Sequence, residues 1–232
     1  MTTTSRALTE SSRPPPPPHG VAISGIVFSA LYVSSVLLVR FAVPADPAAP
    51  LDWLAGPDVR RWISISLALV PFAGIGFLWF MGAVRDHVGL QEDRFFSTVF
   101  LGSGYLFVAL LFTAGAVAYA LLATFSAGSV SPRHAETYAL GRQLTYSLMN
   151  TFSARMAAVF MFVTSSIGLR TRVFPKWVSF VGFALGLVLL LVITEFVAIV
   201  LLFPCWVLLV SAWLLFADFH KERPTSRSEI AP

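Results

Sequence analysis

The sequence predicts an all-α membrane protein, a bundle of six transmembrane helices, and three observations carry that expectation. Hydrophobic residues make up 56% of the chain and charged ones only 12%, about half the roughly 25% charged share of an ordinary soluble domain. Apolar runs recur that are long enough to cross a hydrocarbon layer ~30 Å thick at ~1.5 Å per residue. The connections between them are short, so no separate soluble domain fits. The net charge of +4 lies in loops and tails, where it reads as a topology signal and not as a nucleic-acid footprint.

Residues 1–20 are polar, with a polyproline run at Pro14–Pro18 that favours an extended conformation and reads as a disordered tail. The first span is placed at 21–41; its apolar stretch is longer than the ~7–15 residues of a signal-peptide core, so it reads as a retained helix. Pro44–Asp58 reads as a loop and 62–84 as the second span, with Pro71 inside it suggesting a kink. Arg85–Arg94 is a compact polar loop. The third span is 95–125, the fourth 138–168. The run from Lys176 to Ala217, interrupted only by Thr194-Glu195, is too long for one crossing and suits a hairpin of spans 176–193 and 196–217, the second bent at Pro204. Residues 218–232 read as a second disordered tail.

Six crossings put both termini on one side. Ten of the sixteen lysines and arginines then fall on that side and five on the other, with Arg155 alone deep within a span. The positive-inside rule therefore places both termini in the cytoplasm. Fourteen arginines against two lysines and abundant alanine suit a GC-rich bacterial genome, hence an inner (plasma) membrane.

Chemistry concentrates in the fourth span. Wound at 100° per residue, Arg142, Gln143, Tyr146, Ser147, Asn150, Ser153, Ala154, Ala157, Thr164, Ser165 and Gly168 form one polar or small stripe. Arg155 projects from the opposite flank with Thr151, which predicts a helix with neighbours on both sides. A charge at mid-bilayer costs about 2.5–3.5 kcal/mol on insertion scales, and the nearest candidate partner by depth is Glu195. At ~1.5 Å per residue, Arg155 lies about 22 Å from the basic boundary at Arg170 and Glu195 about 28 Å from Lys176. An arginine side chain can close that difference. Such a pair serves substrate binding or gating on one reading, and helix register or hairpin capping on the other.

Several chemistries are excluded. The four histidines, His19, His87, His134 and His220, all fall in tails or loops, so bis-histidine haem ligation within the bilayer has no ligands. There is no HExxH, Walker motif, EF-hand or CxxC pair. The single cysteine, Cys205, has no disulfide partner in the chain. No cofactor or metal is expected. A cytoplasmic cluster of Asp86, His87, Glu92 and Asp93, flanked by Arg85 and Arg94, offers a metal or headgroup site. Its near-balanced charge reads first as a solvated connector.

The segment FLWFMGAVRDHVGLQEDRFFSTVFLGSGYLF (Phe77–Phe107) and the turn into FPKWVSFVGFALG (Phe174–Gly186) resemble stretches of an uncharacterised family of bacterial multi-pass, six-helix integral membrane proteins. The resemblance implies an integral membrane protein and transfers no catalytic residue. Three functions compete. A non-catalytic membrane subunit or scaffold would bind another membrane protein or itself. A small-solute transporter would line a cavity with the fourth helix. A lipid-modifying enzyme would need the 85–94 cluster and ranks well behind the other two. Membrane lipids are partners on any reading, and nucleic acid is not.

Overall fold

A computed structural model describes residues 19–43, 56–88, 94–125, 132–172, 175–192 and 197–221, and every element among them is helical. The elements are α1 (His19–Ala42), α2 (Pro57–Val88), α3 (Arg94–Phe125), α4 (Pro132–Tyr146), a π segment (Ser147–Ser153), α5 (Ala154–Thr171), α6 (Lys176–Leu191), α7 (Val197–Val200) and α8 (Leu202–Lys221). The chain is continuously helical from Pro132 to Thr171. Four helices are long and apolar enough to cross a membrane; α6 and α8 are shorter apolar helices.

Boundaries differ from expectation where polar residues extend a helix instead of ending it. Pro57 and Asp58 open α2, as a proline and an acid suit a first turn. At its other end Arg85, Asp86 and the His87 backbone continue α2, so these residues do not form a loop; 89–93 lie outside the described residues. Pro132 likewise opens α4, which carries Arg133, His134 and Glu136 on a helix. Pro71 sits inside an unbroken α2. The sixth span is interrupted just before Pro204. The chain turns at Leu201 and α8 starts at Leu202, so Pro204 falls in a first turn where its missing N–H costs nothing.

The helices form a closed ring. α1 packs against α2 and α8, α2 against α3, and α3 against the rod of α4, π segment and α5; α5 packs against α6, and α6 against α8. Neighbours alternate in direction. At one end Trp177 early in α6 meets Trp213 late in α8 edge-on at 6.2 Å, and Arg170 lies 4.4 Å over the ring of Phe96. At the other end Ile63 of α2 packs with Leu122 and Phe125 of α3, joined by Val43 and Tyr138.

Phenylalanines fill the axis. Phe77 of α2 meets Phe28 of α1 at 5.1 Å, Phe107 of α3 at 5.0 Å, Phe160 of α5 at 5.1 Å and Phe203 of α8 at 5.5 Å. The tilted and edge-on geometries are those that aromatic quadrupoles favour. All five rings are buried. The outer surface is also apolar, with Phe72, Trp79, Phe180 and Leu191 each more than 60% exposed. Water would penalise so large an exposed patch, whereas hydrocarbon would not.

Small residues and hydroxyls bring the helices together. A Cβ on Gly76 would stand 3.3 Å from the Phe28 backbone nitrogen, so α1 and α2 approach backbone to backbone. Ser35 and Ser66 clasp the same pair: Ser66 Oγ donates to Ser35 O at 2.8 Å, Ser35 Oγ to Ser66 O at 3.0 Å. Ser29 Oγ donates to Pro204 O at 2.9 Å and ties α1 to α8. Interhelical hydrogen bonds of this kind suit a medium without competing water.

Candidate functional site

The fourth rod departs from α geometry where its polar residues cluster. Over Ser147–Ser153 the pairing widens to i→i+5, and the Ala154 N–H donates to Met149 O. Single-turn π-bulges of this type concentrate at functional sites. Where the pairing returns to i→i+4, Arg155 Nη1 donates to Thr151 O at 2.6 Å. The half-buried guanidinium thus folds back onto its own helix. Its partnership with Glu195 cannot be placed, because Glu195 lies outside the described residues. α7, the next described element after Glu195, does pack against the π segment.

The expected stripe divides at the bulge, because one extra residue per turn rotates the helix beyond it. Above it Gln143 is exposed, and Arg142 is half-buried with its guanidinium 5.5 Å over the Tyr146 ring. Below it Ser153, Ala154, Ala157, Thr164, Ser165 and Gly168 are all buried. α5 has α3 on one side and α6 on the other, and touches α8 and α2. This rod is the most deeply buried of the four long apolar helices. Thr164 and Ser166 donate to Phe160 O and Phe162 O at 2.8 Å, turning their hydroxyls onto their own helix. Asn150 and Thr151 are half-buried, and Asn150 Nδ2 is a buried donor without a partner.

Most of the second expected cluster falls outside the described side chains. Asp86 is exposed near the end of α2, nothing is described of the His87 side chain, and Glu92 and Asp93 lie outside the described residues. Among the described residues no group of three or more histidine, cysteine or acidic side chains is placed to hold a metal. Cys205 faces outward, while its neighbour Trp206 is buried.

Of a second set of polar atoms, sequence reading singled out only Ser165, as part of the stripe. Ser165 Oγ, Ser179 Oγ, Trp206 Nε1 and Ser211 Oγ are buried without hydrogen-bond partners. Two lie against glycines: a Cβ on Gly182 would overlap Ser165 Oγ, and one on Gly25 would overlap Ser211 Oγ. A serine in an apolar helix ordinarily bonds its own backbone, so no sequence signal separates these from the rest. No family model, no curated protein and no solved structure matches this chain.

Proposed function

We propose that this chain is an integral protein of a bacterial inner membrane, crossing it six times with both termini in the cytoplasm. We propose further that it serves as a non-catalytic subunit or scaffold. The observation that carries this reading is the filled axis: five phenylalanines from five helices close the space a transport path would need. The buried half of the polar stripe supports it, because those small residues are spent on contacts between helices. Purification of the tagged full chain in mild detergent tests it. A stoichiometric membrane-protein partner, or a defined assembly of copies of this chain, is expected; a lone monomer would overturn it.

Topology is tested separately. In a Cys205→Ser background, cysteines introduced at Asp58, Arg94 and Arg172 are probed with a membrane-impermeant maleimide on intact cells. Labelling at Asp58 alone is expected. Labelling at Arg94 or Arg172 would reverse or break the six-crossing arrangement.

A second reading, small-solute transport, is favoured by one place only. The π segment, the half-buried Arg155 and the unpaired Asn150 Nδ2 share adjacent turns of one helix. A flux into proteoliposomes that Asn150→Leu abolishes, without loss of the folded protein, would move the assignment to that reading.

A further inference from the structure

The junction of α5, α6 and α8 encloses three polar groups that the fold leaves without partners: Ser165 Oγ, Ser179 Oγ and Trp206 Nε1. The three residues are 1%, 1% and 2% exposed. Two of them converge on one glycine. A Cβ on Gly182 would overlap Ser165 Oγ and stand 2.7 Å from Trp206 Nε1. Those two atoms are therefore within the span that one water molecule bridges. Ser179 lies one turn earlier on the same face of α6.

The chemistry of the set is specific. An indole N–H can only donate, and each hydroxyl oxygen accepts as well as donates. Several hydroxyls elsewhere in the bundle meet their need on their own helix, as Ser103 does on Val99 O at 2.7 Å and Thr164 on Phe160 O at 2.8 Å. Trp206 Nε1 has no such local outlet. A water oxygen accepting from the indole while its two hydrogens go to the serine oxygens would make about three hydrogen bonds, the usual complement of a buried water.

We propose that Ser165, Ser179 and Trp206 form a binding site for a single water molecule that ties α5, α6 and α8 together inside the membrane. The test reads the indole N–H of Trp206 in the full chain in lipid nanodiscs. The probe is the ultraviolet resonance Raman band that reports indole hydrogen bonding, taken as the difference between wild type and Trp206→Phe. A bonded N–H is expected in the wild type and in Ser165→Ala, where water still bridges Trp206 and Ser179. Release to the unbonded band position is expected in the Ser165→Ala/Ser179→Ala double variant. An unbonded N–H in the wild type overturns the site. So does release by Ser165→Ala alone, which would show a direct Trp206–Ser165 bond, and so does persistence of the bonded band in the double variant. The wild-type spectrum decides even if a variant fails to fold.

Discussion

Arg155 shows how opposing magnitudes cancel at one residue. Its bond to Thr151 O is worth about 1.5–3 kcal/mol as a charge-assisted hydrogen bond. Holding a guanidinium within the bilayer costs about 2.5–3.5 kcal/mol on insertion scales. Arg155→Leu is therefore expected to shift thermal stability in detergent by between about 0.5 kcal/mol of loss and about 2 kcal/mol of gain. A much larger loss would reveal a second partner, the part the sequence assigns to Glu195. Arg172 presents the opposite case. It closes α5 at φ 55, a left-handed conformation that costs a side-chain-bearing residue about 1–2 kcal/mol. Arg172→Gly relieves that cost and loses ~0.5–1 kcal/mol to the entropy of glycine in the unfolded chain. A small gain in melting temperature is expected, and a loss would mean that the side chain makes a bond worth more than the strain.

At the scale of elements, the pairing of helices rests on positions where a side chain is missing or short. Gly25→Ala would drive a methyl into Ser211 Oγ and to 2.8 Å from Phe80 Cδ2, an overpacking that costs about 1–3 kcal/mol. Adding Ser211→Ala is expected to restore part of the loss, which a double-mutant cycle on melting temperatures measures. Gly102, with nothing near its Cβ position, should accept Leu with little change. That pair of results would separate contact glycines from lipid-facing ones. The Ser35–Ser66 clasp predicts near-additivity. Each Ser→Ala change should cost on the order of 0.6 kcal/mol, and the double variant about the sum, since each hydroxyl donates to the other residue's backbone carbonyl, which an alanine keeps.

For the whole molecule the test falls on Phe77, the ring that touches rings from four other helices. Phe77→Ala is expected to lose about 3–5 kcal/mol, whereas Phe72→Ala, five positions earlier and 62% exposed, should lose little. These two phenylalanines also mark how far the sequence could be read. Long apolar runs reveal helices in a membrane protein, so most of the helical segments were legible, with Arg170 and Lys176 marking a turn between two of them. Which face is buried was not legible, because lipid and core are equally apolar and Phe72 reads like Phe77. The π segment was hidden too, since no residue type demands i→i+5 pairing, and winding a helix at a constant 100° per residue merged two faces into one stripe. Arg155 stands out in the sequence as a charge needing a partner, but its described partner is a backbone carbonyl, which every sequence contains and none announces.

The ring meets itself where α1 lies against α8. Translation delivers those two helices furthest apart in time. Until the last one arrives, Ser29 has no Pro204 carbonyl to hold, and Gly25 offers a bare notch to any passing helix. A newborn chain thus keeps this seam open until α8 is made, and only then can the ring close.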